Sequence, residues 1–248
     1  MKDALVFHQL TTVGDRDINQ DCMANRIEQD YAVFVVADGL GGHQCGEKAS
    51  EYLCRGLISQ APRFQPTMAS APATALKAWI DAAVGTMRSW FGDDPNAADA
   101  HTTCAMLYLD RQQTIAAHCG DSRIYYLAAN QMLWRSKDHS KIQALRDAGC
   151  ISEWEMGVHP GQTYLTRTVN VMRTPAIDCK RLPAIRPGDT FVLCSDGFWE
   201  SIKDDEWLML SQPDSGKPEL AKLARMAVLR AQGKSDNCTV QWVRGAVS

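Results

Sequence analysis

An α+β sandwich is the fold this 248-residue sequence predicts: four layers, α/β/β/α, with two antiparallel β-sheets face to face and helices on the outside. Three observations lead there. Short apolar or alternating runs separated by turn residues recur along the chain, most densely over 102–135, as antiparallel strands do. Three amphipathic stretches, at 46–58, about 73–91 and 219–231, are spaced too irregularly for βαβ repeats. Each helical stretch has one apolar face that needs a sheet to cover. No internal repeat, low-complexity tract or dividing linker interrupts residues 1–248, so a single domain is expected.

Taken in order, Ala4–Val13 alternates loosely as a first strand, and turn-rich 14–21 leads to a short strand at Cys22–Arg26. Tyr31–Ala37 is an unbroken apolar run, the pattern of a strand buried on both faces. Asp38-Gly39 is expected to end that strand in a turn, with Gly41, Gly42 and His43 following. Residues 46–58 place Ala49, Leu53 and Leu57 on one helical face, and Pro62, Pro66 and Pro72 predict a loop. From Ala73 to Phe91 a stripe of Leu76, Trp79, Ile80, Ala83, Val84, Met87 and Trp90 repeats every 3.6 residues. Four strands at Thr102–Asp110, Thr114–Cys119, Ile124–Ala128 and Met132–Arg135 read as one antiparallel meander. A helix at Lys141–Ala148 stops at Gly149, and 150–175 is irregular. Strands return at Ile177–Leu182 and Thr190–Cys194, and Cys238–Val243 closes the chain after the last helix.

Composition excludes several functions. Hydrophobic residues at 45% and charged residues at 22% are ordinary for a globular domain, and a net charge of −3 disfavours a nucleic-acid surface or a polybasic membrane anchor. The start, MKDALVFHQL, lacks the apolar core of a signal peptide, and no apolar run is long enough to span a bilayer. Nine cysteines, an odd number without a CxxC pair, suit a reducing compartment. A cytoplasmic monomer is expected.

The chemistry lies in acids at strand boundaries: Asp21, Asp38, Asp121, Asp196 and Asp236. Singly, each is an ordinary turn or helix cap. Together at one rim of a sandwich they would repel one another unless cations sat between them. Oxygen-only donors select Mg²⁺ or Mn²⁺ over zinc.

Those acids fall in GDRDINQD (14–21), DGLGGH (38–43), HCGDSR (118–123), LCSDGFWE (193–200) and KSDNCTV (234–240). The ordered set resembles the PPM, or type 2C, metal-dependent serine/threonine protein phosphatases, over residues 10 to 243. The resemblance implies that Asp38 bridges two metal ions, with the Gly39 carbonyl on one and Asp196 and Asp236 on the other. It implies that Asp21 supports the cluster through water and that Asp121, with Asp196, holds a weaker third ion. Arg16 matches the arginine that grips substrate phosphate, where guanidinium geometry suits two-point binding. The implied reaction is hydrolysis of phosphoserine and phosphothreonine by a metal-bridged hydroxide, without a phosphoenzyme, opposing a bacterial Ser/Thr kinase. Phosphorylated proteins are then the partners.

Some positions depart from the pattern. Gln20 stands where many relatives have glutamate, and Leu40 where some carry a histidine proposed as general acid. His43 is a surface or capping residue on this reading, and Arg123 pairs with nearby acids. Residues 150–175 correspond to a flap beside the active site, where Trp154, Met156 and Tyr164 are either substrate contacts or packing. A cysteine-dependent phosphatase would need Cys238 and Arg244 around a phosphate-binding loop. The intervening TVQWV alternates like a strand and lacks the glycines such a loop needs. The remaining alternative is a pseudophosphatase that binds phosphoproteins as a scaffold.

Overall fold

A computed structural model describes residues 1–40 and 45–247, so Gly41, Gly42 and His43 lie outside the described residues. One sheet has five strands. Leu5–Thr12 (β1) lies at one edge, followed by Cys238–Gly245 (β12), Thr190–Cys194 (β11), Arg123–Ala128 (β7) and Gln131–Arg135 (β8). The other has seven. Tyr31–Leu40 (β3) is flanked on one side by Asp21–Ile27 (β2) and on the other by His101–Thr102 (β4) and Cys104–Asp110 (β5). Gln113–Cys119 (β6) and Asp178–Pro183 (β10) continue beyond β5, and Val169–Asn170 (β9) pairs with β4. Every pairing between these strands is antiparallel.

β3 shows why the run 31–37 has no polar face. Ala32, Phe34 and Val36 point into the layer between the sheets with Leu107, Ile124, Phe191 and Val243. Tyr31, Val33, Val35 and Ala37 point outward under Gly46–Met68 (α1) and Pro72–Phe91 (α2). Across the five-stranded sheet, Val192, Cys194, Val240 and Trp242 pack under Asp196–Trp199 (α5), Asp204–Trp207 (α6) and Lys217–Arg230 (α7). The four predicted layers follow from these three apolar clusters.

Five local expectations are corrected. Pro62 and Pro66 do not end a helix: α1 runs through both to Met68. Both prolines are exposed, so the carbonyls they orphan can meet water, while Ala61 and Met68 on the opposite face are buried. Packing of that face outweighs propensity, and Pro72 sits in the first turn of α2, where its missing N–H costs little. Trp90 leaves the core stripe, 39% exposed, with Arg55 over its ring. The meander over 102–135 is broken at Thr103, between β4 and β5 of one sheet, and its later strands β7 and β8 belong to the other sheet. At Gly120, with φ +93, the chain crosses from β6 to β7. Residues 150–175 are not wholly irregular: Lys141–Asp147 (α3) is followed by Glu153–Gly157 (α4), opened by a Ser152–Glu155 capping box. Lastly, Asp38 does not end β3, which continues to Leu40.

Candidate metal centre

The acids meet at one rim of the sandwich. Asp38 lies within β3, opposite Asp21 of β2 in register, and backbone contacts hold it there. Its N–H donates to Thr103 Oγ1 at 2.8 Å, and its carbonyl accepts from Thr102 Oγ1 at 2.9 Å and Thr103 N–H at 2.8 Å. The next residue must be glycine. A Cβ at Gly39 would run into the Gly46 carbonyl at the start of α1, and Gly39 N–H donates to the Gln20 carbonyl at 3.0 Å.

Residues 13–20 are stapled to 234–237, which brings two ends of the chain to one place. Asp15 accepts from Ser235 N–H at 2.8 Å and from its hydroxyl at 2.7 Å. The Asn237 amide donates to the carbonyls of Val13 and Ile18 at 2.8 and 3.0 Å and accepts from Gln20 N–H at 2.7 Å. Arg16 thereby reaches Asp236 at 2.7 Å while staying 58% exposed. Asp196 opens α5 rather than a simple turn, and a Cβ at Gly197 would strike the Asn237 carbonyl, so the two segments touch. Ser195 donates its hydroxyl to Asp21 at 2.7 Å.

A cleft of about 440 Å³ results, lined among others by Arg16, Gln20, Asp38, Gly39, Asp121, Asp196 and Asp236. Asp21 lies just behind, with Oδ1 buried and unpartnered; Asp121 Oδ1 is orphaned likewise. Burial first, then Asp196 and its neighbouring carboxylates, holds the Asp38 carboxyl well above its ordinary value. Burial raises Asp21 and Asp121 in the same direction, with Asp196 adding to each. Asp196 is pushed up to about 6, by burial and then by Asp236. Crowded acids with spare oxygens, whose cationic neighbour Arg16 pairs with Asp236 alone among the described residues, fit hard divalent ions.

Sequence reasoning missed Glu200, whose carboxyl is pushed up to about 10 by burial and then by Asp196, Asp121 and Asp236. Its position four residues after Asp196, the spacing of one helical face, was the available signal. Glu47, in the first turn of α1, also lines the cleft. Arg123 is structural, as expected. It is buried, bonded to Asp138 at 2.6 and 2.7 Å and Glu153 at 2.8 Å, and stacked 3.3 Å over the Trp199 ring. Of the residues expected in a flap, Met156 is buried beneath that network, whereas Trp154 and Tyr164 are exposed. Cys238 and Arg244 share β12 and form no loop. Burial pushes the Cys238 thiol up to about 12, and the Arg244 guanidinium is spent on the Leu210, Pro213 and Ser215 carbonyls. All nine cysteines are free thiols.

Two antiparallel sheets between helical layers, with an acid-lined cleft at one rim, define the class of metal-dependent protein phosphatases. The chain belongs to the protein phosphatase 2C family, whose model matches residues 13–234. The serine/threonine phosphatase stp of Listeria welshimeri is 28% identical over 219 residues, 86% of this chain and 84% of that protein. The S. agalactiae serine/threonine phosphatase structure superposes with TM-score 0.81 at 25% identity, over 97% of this chain and 99% of that one. The catalytic domain of the phosphatase PstP, solved with two manganese ions, matches 98% of this chain and 99% of its own with TM-score 0.77 at 24% identity, a likeness of fold. Among the described residues no helix is long and apolar enough to cross a membrane.

Proposed function

We propose that the chain hydrolyses phosphoserine and phosphothreonine in proteins at a centre of two Mg²⁺ or Mn²⁺ ions, with a weaker third, and so opposes a Ser/Thr kinase. One observation carries this reading: Asp21, Asp38, Asp121, Asp196 and Asp236, from separate segments, converge with two buried carboxylate oxygens left unpartnered. Asp38 would bridge the two ions, the Gly39 carbonyl would serve one, and Asp196 and Asp236 the other. Asp21, oriented by Ser195, would act from behind, and Asp121 with Asp196 would hold the third. When bound, such ions lower the pKa of water and screen charge on phosphoryl oxygens.

The chain's own residues supply position and selectivity. Asp38 is immobilised by three backbone hydrogen bonds, so its carboxylate needs little reorganisation. Arg16, exposed at the rim, can turn its guanidinium from Asp236 to two phosphoryl oxygens. Thr163 and Leu165 of the flap wall the cleft opposite. Leu40 at the rim carries no proton, so the leaving alkoxide must take its proton from another group.

The test is hydrolysis of p-nitrophenyl phosphate and a phosphothreonine peptide, with and without Mn²⁺, by wild type and Asp38→Ala. A Mn²⁺-dependent rate lost in the variant is expected. Equal rates in all arms would sink the proposal.

A further inference from the structure

Directly before Asp121 the chain makes a two-way contact with His139. Gly120 N–H donates to His139 Nδ1 at 3.2 Å, and His139 N–H donates back to the Gly120 carbonyl at 2.9 Å. Gly120 has φ +93 and a Cβ there would meet the Thr103 side chain at 2.7 Å, so the crossing between sheets is tightly confined. On the other side of Asp121, Arg123 is clamped by Asp138, and Trp199 Nε1–H donates to the Asp121 carbonyl at 2.9 Å. Two consecutive residues, Asp138 and His139, therefore hold the chain on both sides of the acid.

The same segment is tied to the flap. Thr166 N–H donates to the His139 carbonyl at 2.7 Å, Lys141 N–H donates to Tyr164 at 3.0 Å, and Ser140 pairs with Leu165 in an antiparallel bridge. Because Nδ1 accepts from Gly120, the ring proton sits on Nε2, which faces Asp178 Oδ2 at 3.3 Å. Arg167 holds the other oxygen of Asp178 at 2.7 Å.

His118, His139 and Asp178 offer ligand atoms within 4.8 Å of one another, yet they do not make an ion site. The two imidazoles stack with centroids 4.8 Å apart and planes inclined by 19°, so no ion between them lies in both ring planes. The proton on His139 Nε2 and the Arg167 guanidinium already serve Asp178.

We propose that His139 is a positioning residue: through Gly120 it sets where the Asp121 carboxylate stands in the cleft, and through its carbonyl and Asp178 it joins that acid to the flap. The proposal deepens the reading of the cleft as a metal centre and rests on it. Losing the Gly120 contact should cost the weakest ion about tenfold in affinity, the scale of one hydrogen bond.

Three full-length variants separate the two ends of the ring. His139→Asn can keep an acceptor where Nδ1 lies and loses the reach to Asp178. His139→Gln does the reverse, and Asp178→Asn weakens only the far end. Metal-free protein is titrated with Mn²⁺ by calorimetry, and amide exchange is followed at Gly120 and over 163–167. The expected result is that His139→Gln weakens the weakest Mn²⁺ class about tenfold and speeds Gly120 exchange, leaving tighter ions within about twofold, whereas His139→Asn restores both. Asp178→Asn should speed exchange over 163–167 alone. Wild-type behaviour in His139→Gln, or equal losses in the Gln and Asn variants, would overturn the proposal. Should His139→Gln fail to fold, Gly120 exchange in His139→Asn still decides: a rate well above wild type counts against it. Absence of any Mn²⁺ binding by wild type would strike the metal centre, while Gly120 exchange still reads the positioning.

Discussion

Asp196→Asn probes the electrostatics of the cleft without any substrate. Folded, the Asp196 carboxyl is pushed up to about 6 by burial and by Asp236, against an ordinary 3.8. A raised folded value means the protonated acid favours the fold. That stability is fully present below pH 3.8 and is lost as pH rises through about 6. At full ionisation the loss is roughly 3 kcal/mol, at 1.36 kcal/mol for each pH unit separating the two states. In a chain of this length 1 kcal/mol moves Tm by roughly 2–4 °C. Asparagine keeps the oxygen that accepts from Gly197 N–H at 2.6 Å, so little else is disturbed. In EDTA at about pH 7.5 the variant should melt roughly 6–12 °C above wild type, and the gap should close near pH 4. With excess Mn²⁺ the order should reverse, because only wild type gains the full stabilisation from bound ion. Calorimetry across that pH range, with and without Mn²⁺, decides. A variant that melts at or below wild type in EDTA at the higher pH would refute crowding of charge as the organising feature of the cleft.

Other perturbations follow from single contacts. Arg16→Ala should leave stability within about 0.5 kcal/mol, since its ion pair is exposed, while raising KM for a phosphopeptide about tenfold or more; steady-state kinetics and thermal melting measure the two. Gly39→Ala should lower Tm or prevent folding, because the new methyl meets the Gly46 carbonyl backbone, and melting of the purified variant tests it. Arg123→Ala leaves Asp138 and Glu153 without their buried partner and should cost about 3–5 kcal/mol in urea unfolding.

Much of this was legible because it is periodic or local. The β3 run announced a strand with no wet face, and the α2 stripe announced a helix over a sheet. Where the reading failed, a distant partner decided. Pro62 and Pro66 read as breakers because propensity is local, but Ala61 and Met68 had a surface to bury. Trp90 kept the right spacing, yet it lies near the end of α2 against Tyr52 and Arg55 of α1 and stays exposed. HCGDSR looked like one hairpin turn among several, and only the packing of two sheets makes it a crossing between them.

The acids divide along the same line. By itself the sequence determined which residues could hold a hard cation, because carboxylates beside turn residues at expected strand boundaries are a matter of residue type and order. It also determined the layers, since apolar period is written in the chain. Their meeting was decided only by tertiary structure. Asp15 with Ser235, and Asn237 with Val13 and Ile18, join segments more than two hundred residues apart, and no local pattern encodes that contact. Glu200 and His139 likewise gain their significance from what the fold sets beside them. Burial and neighbouring charge, which raise the Asp21, Asp38, Asp121 and Asp196 carboxyls, exist only once the two sheets close over their common core.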